Sequence, residues 1–231
     1  MNTKIALQRL LSGLPQELKN ECFLDKLEIL LKAKEIKSSA DLYNLIDEEY
    51  LNKVFSNPTK VSSKIETTLK PGNVLEIACG NGRLLSQLEK NPKFSGFFGI
   101  DNNQRIVSLI AKNTKAKIFL NKAENFNYGI LPKIDNIIIN NFFGMISILQ
   151  SKKILLAIKK CLTPESIILI GEEKKLSANI NEANQYLIKK YNFHFYFPFY
   201  KDFASDGYEY KKIKMDQLTY YLLQLHENPN N

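Results

Sequence analysis

The first 56 positions carry a helical rhythm. Ile5, Leu7, Leu10 and Leu11 predict a short helix that Gly13 stops. Pro15 suits the first turn of a second helix, with Leu18, Phe23, Leu24, Leu27, Ile29, Leu30 and Leu31 at near-helical spacing. Ser38-Ser-Ala-Asp41 has the form of a capping-box start, with Asp in the fourth place. A third helix then runs through Leu42, Leu45, Ile46, Leu51 and Val54 until Asn57-Pro58 breaks it. A further helix is predicted over about 59–69. Beyond Pro71-Gly72 the rhythm changes. Apolar runs near 73–78, 96–100, 116–120, 134–140 and 166–171 alternate with helical stretches near 81–90, 102–113 and 144–161, and with a short turn around 123–127. Ile137-Ile-Ile139 and Ile167-Ile-Leu-Ile170 are apolar on both faces, as central parallel strands covered by helices on both sides must be. Right-handed crossovers then give an open α/β sheet, doubly wound and mostly parallel. A helix near 178–191 leads into Phe193–Tyr200. This run and Tyr208–Met215, separated by Asp206-Gly207, alternate like an antiparallel terminal hairpin, and Gln217 to His226 reads as a closing helix. The pattern divides the chain into an N-terminal helical cap, 1–56, and an α/β core, 57–231.

Composition narrows the class. The chain has 231 residues, 44 % of them hydrophobic, enough for a sizeable core. Cys22, Cys79 and Cys161 lie far apart with no CxxC pair, which makes neither a disulfide framework nor a zinc site. No secretory leader and no membrane-length apolar run is visible, so a cytoplasmic protein without a membrane partner is expected. The net charge of +8 falls mostly after residue 70 and could favour RNA. The lysines, however, are scattered pairs on helix faces, and Arg9, Arg83 and Arg105 are the only arginines. A solvated surface is the favoured reading, and nucleic acid the less favoured partner. The N-terminal helices offer a surface for a homodimer.

The chemistry is concentrated in Val74-Leu-Glu-Ile-Ala-Cys-Gly-Asn-Gly-Arg83. An apolar strand meets a turn with two glycines, and leucines at 84, 85 and 88 resume a helix. Glycine lets the backbone turn sharply and approach a ligand, and the following helix presents unpaired N–H groups. A dinucleotide fingerprint needs a third glycine where Leu85 stands, and has no use for the acid at Glu76. A cationic cofactor has such a use.

The stretch resembles the first motif of class I, Rossmann-like, methyltransferases, E/D-x-x-x-G-x-G. Gly96-Phe-Phe-Gly-Ile-Asp101 is similar to their second motif, a strand ending in an acid. Asn121-Lys-Ala-Glu124, Asp135-Asn-Ile-Ile-Ile-Asn140 and Leu162-Thr-Pro-Glu-Ser-Ile-Ile-Leu-Ile170 follow in step with the later strands, although Glu165-Ser166 replaces a usual double glycine. The resemblance covers about residues 73–215 and implies a seven-stranded sheet with S-adenosyl-L-methionine as cofactor. It gives Glu76, with Ala78, Gly80, Asn81 and Gly82, the methionine end. Asp101 would take the ribose hydroxyls, with Asn102 beside the adenine. Ala123 and Glu124 would border the adenine, and Asn140 would close the methionine end. No metal is implied, and no catalytic residue is singled out.

The methyl acceptor is harder to read, because displacement at an activated carbon needs alignment more than a base. Asn140-Asn-Phe-Phe143 matches the ends, not the prolines, of an amino-methylating (D/N)-P-P-(Y/F) pattern. Phe142, Phe143, Glu172 and His194, with Tyr43 and Tyr50 of the cap, are candidate acceptor-site residues. Transfer to an O or N atom of a small-molecule metabolite is the leading expectation. The alternatives are methylation of RNA or a protein, or a non-catalytic cofactor-binding subunit.

Overall fold

The computed structural model describes residues 1–11, 20–43, 45, 63–110, 114–172, 178–194, 208–215 and 218–225. Pro15, Tyr50, the third helix beyond residue 45 and the Phe195–Tyr200 run lie outside them, as do the side chains of Tyr43 and Glu172.

Among the described residues seven strands make one sheet: β1 (Gly72–Ile77), β2 (Phe94–Asp101), β3 (Lys117–Leu120), β4 (Ile134–Asn140), β5 (Leu162–Glu172), β6 (Tyr208–Met215) and β7 (Leu218–Leu225). Their order is β3-β2-β1-β4-β5-β7-β6. The first five are parallel, and β7 runs antiparallel to both β5 and β6. The strand order reverses between β1 and β4, so a crevice is expected at their carboxyl ends.

Alternation along the strands covers both faces. Leu75, Ile77, Ile137, Ile139, Ile168 and Ile170 pack with Ile154, Leu155 and Ile158 of one helix (Ile148–Ile158). Val74, Ile138, Ile167 and Leu169 face the other way, onto Ile65, Leu85, Leu88 and Ile106. Burial of two-sided apolar strands at roughly 25 cal/mol per Å² is the main stabilising term here. Numbering helices along the chain, α1 (Thr3–Leu10), α2 (Glu21–Lys32) and α3 (Ser39–Tyr43) precede α4 (Ser63–Thr68), α5 (Arg83–Leu88), α6 (Gln104–Ile110), α7 (Ile148–Ile158) and α8 (Ala178–Tyr191). A third cluster joins Leu7, Leu24, Leu27, Leu31 and Leu42 of α1–α3 to Ala183 and Leu187 of α8 and to Phe193. No described helix is long and apolar enough to cross a membrane.

One expectation at the end of the chain is corrected. Residues 218–225 are a strand, not a closing helix, and the antiparallel hairpin is β6 with β7. The Phe193–Tyr200 run expected to pair with Tyr208–Met215 lies outside the described residues except for Phe193 and His194, and His194 bridges Ser38 in parallel. The reason for the corrected helix is the pattern of its residues. β7 lies between two strands, and its run Leu218-Thr-Tyr-Tyr-Leu-Leu-Gln-Leu225 has adjacent apolar residues from Tyr220 to Leu223 that blur a two-residue period in the sequence, although Tyr221 and Leu223 are buried and Gln224 is exposed.

Candidate functional site

The carboxyl ends of β1, β2 and β4 converge on one edge. Immediately past β1, Ala78 takes a left-handed backbone at φ 57°, and Gly80 and Gly82 follow at 53° and 70°. Glycine takes this conformation freely, whereas alanine pays on the order of 1 kcal/mol for it. Asn141, just past β4, is left-handed too, at φ 50°. The turn is closed by Gly82 N–H donating to the Cys79 carbonyl at 2.9 Å, and Ser86 N–H donates to the Gly82 carbonyl to start α5. Burial pushes the Cys79 thiol far up, which disfavours the thiolate form.

Asp101 ends β2 and ties the edge together. Its Oδ2 accepts Gly80 N–H at 2.9 Å, and its Oδ1 accepts Asn103 N–H at 2.9 Å. Burial raises its carboxyl above the usual value, and these amides oppose that shift. Asn103 in turn caps α6 through Oδ1, which accepts from Arg105 and Ile106 N–H.

Glu76 sits beneath the turn at 5 % exposure. The Leu85 amide hydrogen-bonds to it, yet Oε2 is buried with no partner among the described residues. Burial, and then the charge of Asp101, hold its carboxyl well above the ordinary range. Asn140 Oδ1, at the end of β4, is likewise buried and unpartnered. Buried acceptors without donors are costly, and the natural occupant beside them is a cation rich in N–H groups. The ammonium and sulfonium of S-adenosylmethionine fit that demand.

Two adjoining cavities share Ala40, Ala78, Asp101, Asn102 and Phe142 as walls. One, of about 260 Å³, is bounded by Gly80, Asn140, Asn141 and Met145. The other is bounded by Asn121, Lys122, Ala123, Glu124 and Gln150, past the end of β3. Ala123 is held from behind: its carbonyl accepts the buried Tyr128 hydroxyl at 3.0 Å. Glu124 Oε1 accepts Gln150 Nε2 at 3.1 Å.

Ala78, Gly80, Asp101, Asn102, Ala123, Glu124, Asn140 and Phe142 therefore line one cleft, with Glu76 buried behind it. Asn81 and Gly82 belong to the turn without lining either cavity. Phe143 is fully buried in the main core and lines neither cavity. His194 lines neither cavity. Its main chain instead accepts Ser39 N–H at 3.0 Å and donates to the Lys37 carbonyl at 2.8 Å. This anchors a strap, residues 37–41, whose Ser38, Ala40 and Asp41 face the cleft. The sequence marks that strap only as a helix start. Asp41 does take Ser38 N–H, at 3.0 Å, as a capping residue would.

Residues 68–214 match the methyltransferase domain family. No curated protein matches the chain in sequence. Similar solved structures include a chain from the Haloferax volcanii complex of the Trm112 methyltransferase activator with a methyltransferase, 9 % identical, TM-score 0.58, covering 83 % of this chain and 100 % of that one. A Nostoc punctiforme protein described as an O-methyltransferase is 17 % identical, TM-score 0.56, over 70 % of this chain and 54 % of its own. This chain thus spans about half the length of the Nostoc protein. A TehB-like S-adenosylmethionine-dependent methyltransferase from Corynebacterium glutamicum is 12 % identical, TM-score 0.53, over 80 % and 97 %. At these identities the structures speak to the fold. With the matched family and the acid-lined glycine turn, the chain belongs to the methyltransferase domain family and is a class I S-adenosylmethionine-dependent methyltransferase.

Proposed function

We infer that this enzyme methylates an O or N atom of a small-molecule metabolite. The observation that carries this is the strap. Ser38, Ala40 and Asp41 come from outside the family-matched segment 68–214, yet they wall the cleft. The acceptor then shares a cavity of about 260 Å³ with apolar walls at Ala40, Ile106, Phe142 and Met145 and amide groups at Asn140 and Asn141. That is a volume for a compact molecule. The segment 1–56 is assigned as its cap and 57–231 as the core; the packing of Leu7, Leu27 and Leu31 of α1 and α2 on Leu187 of α8 supports this.

When bound, the cofactor supplies an activated methyl group with a neutral leaving group. The chain's own residues have three tasks. Glu76 and Asn140 orient the methionine end, Asp101 fixes the ribose, and Phe142 with Met145 excludes water and aligns the acceptor. Incubation with methyl-labelled cofactor and fractionated cell extract tests the reading. Label is expected in the small-molecule fraction. Label confined to RNA or protein would overturn the acceptor class, and no transfer by a cofactor-binding chain would make it a non-catalytic subunit.

A further inference from the structure

We propose that Asp41, supplied by the N-terminal strap, reads the 6-amino group of the cofactor's adenine and so sets the enzyme's choice of nucleoside. The proposal rests on the cofactor reading of the cleft.

The cavity past β3 is bounded by Asn121, Lys122, Ala123 and Glu124 on one side and by Ser38 and Asp41 on the other. An adenine there presents one N–H donor group, the 6-amine, and ring nitrogens that accept. Donors are plentiful, since Asn121, Lys122 and Gln150 all line the space. Carboxylates are fewer, and most of their oxygens are committed. Asp101 holds one backbone amide on each oxygen and is assigned to the ribose, and Glu124 Oε1 is held by Gln150.

Asp41 is fixed by one oxygen. Its Oδ2 accepts Lys37 N–H at 2.9 Å, Ser38 N–H at 3.0 Å and the Ser38 hydroxyl at 3.1 Å. Oδ1 receives no donor among the described residues, and the residue lines the cavity. The strap itself is pinned by the His194 backbone. Three donors grip one oxygen, so the carboxylate cannot rotate cheaply, and the other oxygen is left available to a ligand.

This geometry gives an unusual expectation for Asp41→Asn. The three strap donors still demand an oxygen, so the amide turns its carbonyl to the strap and its –NH2 to the cavity. A donor then faces the adenine amine, whereas the 6-oxo group of hypoxanthine would be welcomed.

The experiment titrates the full chain calorimetrically with S-adenosylhomocysteine and with S-inosylhomocysteine, its 6-oxo counterpart. Wild type should prefer the adenosyl compound by on the order of tenfold or more, the range of one charge-assisted hydrogen bond. Asp41→Asn should invert the preference, and Asp41→Ala should erase it. Equal weakening of both ligands by Asp41→Asn would overturn the proposal and leave Asp41 a strap residue only. An unchanged preference would overturn it too, and hand the amine to Glu124. If wild type binds neither compound, the cofactor reading itself falls and the proposal with it.

Discussion

Glu76→Gln should make the cofactor-free protein more stable and the cofactor-bound protein weaker. The carboxylate is 5 % exposed, keeps one backbone partner at Leu85, and leaves Oε2 buried without any among the described residues. Holding an unpaired ion there costs several kcal/mol, or else the group keeps a proton that solution would remove. Gln retains the carbonyl for the Leu85 amide and replaces a buried charge by a neutral unpartnered –NH2, itself costing about 1–3 kcal/mol. The difference favours Gln by about 1–3 kcal/mol, or about 2–10 °C in the melting midpoint for a chain of this size. The pH dependence follows from the raised carboxyl. Above about pH 4.5, the ordinary value, the unfolded chain has lost a proton that the native state keeps. Stability therefore falls as pH rises from there through the native value. Glu76→Gln removes that part of the slope, while the smaller contribution of Asp101, raised in the same sense, remains. Cofactor affinity in wild type should rise with pH across the same window, as the carboxylate forms beside the cation, and should drop at least tenfold in the variant. Scanning fluorimetry from pH 5 to 8.5, with and without S-adenosylmethionine, reads both effects. A variant that melts lower than wild type at pH 8 without cofactor, with the pH slope intact, would refute the reasoning.

Other substitutions test the rest of the edge. Asp101→Ala strips the acceptor from Gly80 and Asn103 N–H; it should cost about 2–4 kcal/mol by urea unfolding and abolish cofactor binding in calorimetry. Ala78→Gly relieves the left-handed strain and should stabilise by about 0.5–1 kcal/mol in the same unfolding assay, whereas Ala78→Val should destabilise by more than that. Gly99→Ala would bring a Cβ to 2.6 Å from Ile118 Cδ1 and 2.8 Å from Cys79 Sγ. It should cost about 1–3 kcal/mol of overpacking, measured by thermal unfolding, and shift the glycine turn through Cys79. Tyr128→Phe leaves the Ala123 carbonyl without its hydroxyl partner and should weaken cofactor binding several-fold at unchanged pH dependence, measured by titration.

Much of this site was legible because its chemistry is local. Glu76, Gly80 and Gly82 share one turn, and Asp101 follows after one helix and one strand, so sequence spacing sufficed to bring them together. The two-sided apolar runs of β4 and β5 likewise announced central strands. What escaped was whatever depends on distant contacts. Leu218–Leu225 looked helical because its adjacent apolar residues, Tyr220 to Leu223, blur the two-residue period. Phe142 and Phe143 look alike in sequence, and only the turn after β4 sends one to the cleft and the other to the core. The strap was invisible as a cleft wall because its placement comes from His194, more than 150 residues away, through backbone groups that any residue could supply.

The place of β7 has a consequence for the order of assembly. β6 leaves the ribosome before β7, but its sheet neighbour among the described residues is β7, and β5 waits for that same strand. Until β7 emerges, the β5 edge carrying Ile168, Leu169 and Ile170 stays open and apolar, a template for pairing with other nascent chains. The seven-stranded sheet therefore closes in a late step, from its interior outward, and a holdase acting on this chain would have most to protect in the interval between the synthesis of residues 172 and 225.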